Sequence, residues 1–193
     1  MSSSYYNREA DRYIEQTSTL DMTTQYDRFL PMLPKGGRIL DAGCGSGRDA
    51  KAFIDAGYEV VAFDASTKLV DYATKFSGQP AFLMTFADMK WVEEFHGIWA
   101  CASLLHVPQE DFTDIAETFA TALKTNGAWY MSFKLGSGQR VKDDRQFVDH
   151  TSASLQSVLG SLRRISLSEI WETSDVRKGR ETEKWLNALA IKE

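Results

Sequence analysis

Apolar and polar positions along this chain of 193 residues switch between a helical and a strand-like period, and the switches mark its elements. From Tyr5 to Leu33 the spacing is helical. Tyr26, Phe29, Leu30 and Leu33 fall on one face, and Pro34-Lys35-Gly36-Gly37 breaks the pattern. Strand-length apolar runs follow at Arg38 to Leu40, Glu59 to Phe63, Ala81 to Phe86, from Gly97 onward, Ala128 to Phe133, Ile165 to Trp171 and Leu186 to Ile191. Helical faces lie between them. They carry Ala50, Phe53, Ile54 and Gly57; then Leu69, Tyr72 and Ala73 behind a Ser66 N-cap; then Phe112, Ile115, Ala116, Phe119 and Leu123; and last Leu155, Val158, Leu159 and Leu162. This alternation predicts an α/β doubly wound sheet that binds ligands at the carboxyl ends of its strands.

The first strand runs into Asp41-Ala42-Gly43-Cys44-Gly45-Ser46-Gly47, a glycine-rich turn opening a helix. Glycines at alternate positions let a ligand lie against the main chain and permit dihedrals closed to other residues. The spacing G-x-G-x-G, followed by Arg48 and Asp49, matches neither the phosphate loop nor the dinucleotide fingerprint. An acid at the strand end suits an amino-acid moiety better than a pyrophosphate. Asp64 closes the second run 23 residues after Asp41, near the spacing of ribose-binding acids in βαβ nucleotide sites.

These residues resemble the class I S-adenosylmethionine (SAM) methyltransferases, whose first motif is a strand followed by D/E-x-G-x-G-x-G. Ala87-Asp88-Met89 resembles the adenine-side motif of that family, and Gly97 to Pro108 resembles the motif after its fourth strand. The nearest likeness is to small stand-alone bacterial methyltransferases of the tellurite-resistance type. It rests on Gly45 to Asp49, Leu104 to Pro108, Phe133 to Gly138 and Trp185-Leu186-Asn187, with His96 standing where that group often has an acid.

The resemblance implies a Rossmann-like seven-stranded sheet with an antiparallel last strand. It divides the chain into an N-terminal helical cap over residues 1–34 and a SAM-binding methyltransferase domain over residues 35–193. It also implies SAM as cofactor and S-adenosylhomocysteine as product. Cofactor contacts are expected from Asp41, Gly43, Cys44, Gly45, Gly47, Arg48, Asp64, Ala65, Ser66, Asp88, Met89, Ser103 and Leu104, with Asp41 and the loop amides holding the methionine end. His106 is the candidate general base, since imidazole titrates near neutrality. Tyr5 and Tyr6, as an aromatic lid, and Lys134, Arg145, Arg177 and Arg180 are the candidate substrate residues.

Charge sharpens the substrate expectation. The chain carries −5 overall, which argues against broad affinity for nucleic acid. Up to Leu123 there are 10 basic and 18 acidic residues; from Lys124 onward the numbers are 12 and 9. The acceptor expected is therefore a small molecule, anionic in charge. RNA or protein methylation, and a SAM-binding module without catalysis, stand as alternatives. With three histidines and two cysteines, Cys44 and Cys101, no metal-ligand spacing or disulfide framework is present, and no metal is expected. Both thiols are expected reduced and buried. No membrane span or signal peptide is visible, so a cytoplasmic location is expected, and the oligomeric state is left open.

Overall fold

The computed structural model describes residues 2–193, so Met1, the first residue of the expected cap, lies outside the described residues. Seven strands form one sheet: β1 (Arg38–Ala42), β2 (Glu59–Asp64), β3 (Ala81–Leu83), β4 (Phe95–Ala100), β5 (Leu123–Lys134), β8 (Ile165–Ser174) and β9 (Lys184–Lys192). Their order is β3-β2-β1-β4-β5-β9-β8. The first five are parallel, and β9 runs antiparallel to both β5 and β8. The chain starts at the centre and winds outward both ways, so β1 and β4 lie side by side where the winding reverses. A crevice opens there at the carboxyl ends.

Both faces of the sheet are covered, and the period of two decides which residue serves which face. Leu40, Ile98, Trp129 and Ala190 sit in register across four strands and belong to one core cluster. Their sequence neighbours Ile39, Trp99, Tyr130 and Leu189 point the other way into a second cluster, where Trp99 stacks on Tyr130 with ring centroids 3.8 Å apart. Helix α4 (Arg48–Asp55) supplies Phe53 to this second cluster; α6 (Phe112–Ala122) and α7 (Ser152–Leu159) supply Phe112, Phe119 and Leu155 to the first. Helix α5 (Thr67–Ser77) starts as expected, with the Ser66 side chain accepting from the Leu69 N–H. Among the described residues, no helix is long and apolar enough to cross a membrane.

The structure corrects three expectations. The stretch from Tyr5 to Leu33 is broken into α1 (Ser2–Arg8), α2 (Ala10–Thr17), α3 (Thr23–Phe29) and a 3₁₀ turn over Leu30–Met32, because its apolar positions serve different surfaces. The third strand stops at Leu83, and Phe86–Asp88 forms a 3₁₀ turn closed by a reciprocal Thr85–Asp88 capping box. Most consequential is an antiparallel ribbon, β6 (Gly138–Lys142) and β7 (Arg145–Asp149), that was not anticipated. Its two-residue turn holds Asp143 and Asp144 at φ of 51° and 58°, the left-handed pair that twisted hairpins require.

Candidate active site

Two adjoining cavities occupy the crevice. The smaller, about 130 Å³, lies above the ends of β1, β2 and β3; the larger, about 250 Å³, lies under α1, α2, the ribbon and the β8–β9 connection. Tyr6, Tyr13, Ala102 and His106 line both and form the wall between them.

The glycine loop is shaped chiefly by the protein's own atoms. Gly43, Gly45 and Gly47 all have positive φ. A Cβ would lie 2.5 Å from Ser103 Cβ at Gly43, 2.7 Å from the Tyr13 hydroxyl at Gly45 and 2.9 Å from Ala73 at Gly47. The amides are likewise committed: Gly43 and Cys44 donate to the Phe63 carbonyl, Gly45 to Asp64 Oδ2 and Gly47 to the Cys44 carbonyl. Each of these four amides already has an acceptor within the chain. Asp41 sits beneath the loop at 1% exposure, accepts from the Ala50 N–H at 3.0 Å and lines neither cavity; burial and then the nearby Asp49 charge raise its pKa.

Asp64 is aimed at the smaller cavity. Its Oδ2 takes the Gly45 N–H at 3.0 Å and its Oδ1 the Ser66 N–H at 2.9 Å, so the carboxylate is fixed between loop and helix. Burial lifts its pKa against those hydrogen bonds. Ala65 and Ser103 line the same cavity, and the Ser103 hydroxyl donates to the Ala42 carbonyl at 2.7 Å. The apolar side is Leu69, Met84 and Phe86. Ser66 is fully buried as the N-cap, and Cys44, Met89 and Leu104 pack in the core, lining neither cavity. Asp88, expected on the adenine side, lines neither cavity: its carboxylate accepts from Thr85, and the residues of this stretch that line the smaller cavity are Met84, Thr85 and Phe86.

Arg48 lines the larger cavity, but its guanidinium is clamped by Asp49, an acid the sequence reading passed over. Asp49 also accepts from the Tyr26 hydroxyl and from Trp99 Nε1 at 2.8 Å. Against its burial, the Arg48 charge and these bonds lower its pKa. Cys101, expected within a strand, lies one residue beyond β4 and half-buried; burial pushes its thiol up to about 12.

His106 stands in the 3₁₀ turn after β4, with Nδ1 2.7 Å from the Gln146 carbonyl of the ribbon and Nε2 2.8 Å from the Tyr6 hydroxyl. Burial lowers its pKa to about 4, with the Arg145 charge adding to the effect. At neutral pH it is uncharged.

Tyr5, Tyr6, Lys134, Arg145, Arg177 and Arg180 all line the larger cavity. Their charges are not equal. Lys134 and Arg177 share Asp175, which lies 4% exposed on the β8–β9 connection and also accepts from Trp185 Nε1 at 3.0 Å. Although burial acts upward, bonds from Arg177, Trp185 and Lys134 carry the Asp175 pKa well below the carboxylate range. Arg180 reaches Glu183 at 3.9 Å. Arg145 reaches Asp143 through Nη2 at 3.3 Å; its guanidinium lies 3.9 Å from the Tyr5 ring centroid and 5.1 Å from that of Phe147, and its Nε is buried with no hydrogen-bond partner among the described residues. Nothing in the local sequence marks Asp175. The ribbon's turn was readable in Asp143-Asp144, since acids tolerate left-handed dihedrals. Among the described residues, no group of three or more His, Cys, Asp or Glu side chains is placed to hold a metal ion.

A family profile described as "Methyltransferase domain" matches residues 39–127. The putative methyltransferase YqeM of Bacillus subtilis (strain 168) is 31% identical over 98 residues, 48% of this chain and 39% of that protein, so the match spans well under half of the relative's length. In overall fold, the chain is similar to Burkholderia thailandensis 1,6-didemethyltoxoflavin-N1-methyltransferase, solved with 1,6-didemethyltoxoflavin and S-adenosylhomocysteine bound. The TM-score is 0.78 at 18% identity, over 98% of this chain and 84% of that one. A TehB-like SAM-dependent methyltransferase from Corynebacterium glutamicum gives a TM-score of 0.73 at 21% identity, over 98% and 99% of the two chains. All of the smaller cavity's lining except Ser3, Tyr6 and Tyr13 falls inside the matched segment; of the larger cavity's lining, only Arg48, Cys101, Ala102, Leu105 and His106 do. With its central glycine loop and seven-stranded sheet, the chain has the fold of the class I SAM-dependent methyltransferases, and residues 39–127 are similar to their methyltransferase domain.

Proposed function

We propose that this protein methylates a small anionic acceptor, with SAM held in the smaller cavity and the acceptor in the larger. The observation that carries the reading is the shared wall of Tyr6, Tyr13, Ala102 and His106, which puts two cavities of different chemistry in contact. The smaller fits a nucleoside: Asp64 presents a carboxylate to ribose hydroxyls, and Leu69, Met84 and Phe86 offer an apolar surface to a flat base. When bound, SAM supplies a methyl group on a sulfonium, which needs only a nucleophile brought into line. The chain's part is to position that nucleophile and exclude water, and α1 and α2 roof the crevice.

The larger cavity favours an anion. Eight arginine and lysine side chains, Lys134, Arg145, Arg177 and Arg180 among them, line it against the four acids Glu9, Asp143, Asp175 and Glu183, and an arginine fork pairs with a carboxylate or oxyanion in bidentate fashion. The Burkholderia neighbour's name gives it a small molecule, 1,6-didemethyltoxoflavin, as acceptor, which fits a cavity of this scale. Incubating the purified chain with methyl-labelled SAM and a fractionated cell extract tests the proposal. Label in small acidic metabolites is the expected result; label confined to RNA or protein would replace it.

A further inference from the structure

Resting on that reading, the geometry points to Tyr6 as the residue that takes the acceptor's proton, with His106 behind it as the positioning residue that receives Tyr6's own. The hydrogen bonds fix the direction. A carbonyl can only accept, so the 2.7 Å contact with Gln146 means that His106 Nδ1 carries the hydrogen. In a neutral imidazole Nε2 is then bare, and the Tyr6 hydroxyl 2.8 Å away donates to it. Both ring nitrogens are therefore engaged. Phe147 packs against the ring at a centroid distance of 4.9 Å and Tyr6 at 5.5 Å. His106 is not the group that meets an acceptor; the phenolic oxygen of Tyr6, which lines both cavities, keeps lone pairs to accept with.

The step balances as a relay. As a hydroxyl or amine acceptor attacks, its bond to the methyl carbon forms and the methyl–sulfur bond breaks, the electron pair staying on sulfur. The acceptor's proton passes to Tyr6 Oη, and the proton already on Oη passes to His106 Nε2. The positive charge lost from sulfur reappears on an imidazolium whose Nδ1–H still holds the Gln146 carbonyl, and the proton leaves to water with the product. Around the pair stand Tyr5 on α1, Tyr13 on α2, Asp64 at the end of β2 and Arg145 on β7. Burial raises the Tyr6 pKa while Arg145 opposes it, and the same Arg145 charge disfavours protonated His106. An anionic acceptor seated on Arg145 offsets that charge and makes His106 a better proton sink when the site is filled.

Two measurements on the full chain test the relay. Long-range ¹H–¹⁵N spectra of ¹⁵N-histidine-labelled protein, with His106 assigned through His106→Gln, should show hydrogen on Nδ1 and a bare Nε2 whose resonance moves in Tyr6→Phe. Hydrogen on Nε2, or an Nε2 signal indifferent to Tyr6→Phe, overturns the proposal. Release of S-adenosylhomocysteine is then followed at pH 8 with two probe acceptors, 4-hydroxybenzoate and 4-mercaptobenzoate, the second of which ionises to a thiolate and needs no base. Tyr6→Phe and His106→Gln should each lower the oxygen-to-sulfur turnover ratio about a hundredfold; an unchanged ratio in either variant overturns the relay. A wild-type chain that turns over neither probe counts against the small-anion reading, and the tautomer spectra then decide the relay by themselves.

Discussion

Arg48 lays its guanidinium across the carboxylate of Asp49, its neighbour in the chain, with Nε to Oδ1 and Nη2 to Oδ2 both at 2.7 Å. Adjacent residues on a helix do not normally face each other. Here they do because the pair stands in the first turn of α4, where Tyr26 and Trp99 reach the same carboxylate from below.

Breaking that pair should be costly. Asp49→Asn keeps the shape but leaves the Arg48 charge buried, and about 3–5 kcal/mol of folding stability should be lost in urea denaturation. The double change Arg48→Met with Asp49→Asn should recover the part due to the unpaired charge, since the new side-chain carbonyl can still accept from Tyr26 or Trp99. A single variant as stable as wild type would mean that solvent reaches the pair.

Asp64→Ala should weaken SAM or S-adenosylhomocysteine binding by about 1.5–3 kcal/mol, the scale of hydrogen bonds to a charged group, as read by titration calorimetry. Unchanged affinity would reduce Asp64 to a fastener between the glycine loop and the Ser66 cap.

His106 should make stability sensitive to acid. Its folded pKa of about 4 lies below the ordinary value of 6.5, so the unfolded chain takes up a proton first. The stability tied to the neutral ring is complete above pH 6.5 and drains away as pH falls towards 4, by about 2–3 kcal/mol at pH 4.5. His96 and His150 are shifted the same way, so the comparison is with His106→Gln, whose stability should fall less between pH 7 and 4.5. Parallel pH profiles for the two proteins would refute the assignment.

Gly45→Ala should cost about 1–3 kcal/mol, because φ is 54° and the new methyl meets the Tyr13 hydroxyl. Adding Tyr13→Phe removes that hydroxyl and should return part of the loss, a coupling that a double-mutant cycle on thermal stability detects. Simple additivity would show that α2 does not press on the loop.

For the acceptor, Arg145→Gln should raise KM about tenfold or more while moving SAM affinity little, and Arg180→Gln should do less. Both are paired with an exposed acid, Arg145 with Asp143 and Arg180 with Glu183, but the Arg145 side chain is 17% exposed with a buried, unpartnered Nε, whereas that of Arg180 is 40% exposed. Steady-state kinetics on the acceptor, once identified, decide between them.

The sheet was legible because its signal is local: β1, β2, β4 and β5 are apolar runs, and the loop after β1 is written in glycines. Tertiary partners were not. Ala-Asp-Met reads as an adenine motif, yet Asp88 is taken by Thr85 three residues earlier, and no periodicity reveals that competition. The ribbon escaped because Gly138 to Lys142 is exposed throughout and carries no apolar alternation. Asp175 meets Lys134 41 residues away, a pairing only the folded sheet creates. His106 was found as an ionisable group, but its orientation depends on a ribbon carbonyl and on a tyrosine 100 residues upstream.

The walls of the larger cavity come mostly from the chain's two outer stretches, before residue 39 and after residue 127, and the smaller cavity's mostly from the stretch between. Inheritance can therefore act on the two separately: the ends can drift, lengthen or be exchanged while the middle keeps its chemistry. Kinship measured over the middle alone says little about which acceptor a relative uses. For a protein engineer the same division marks a grafting boundary, with the helices before β1 and the ribbon after β5 as the cassettes to replace.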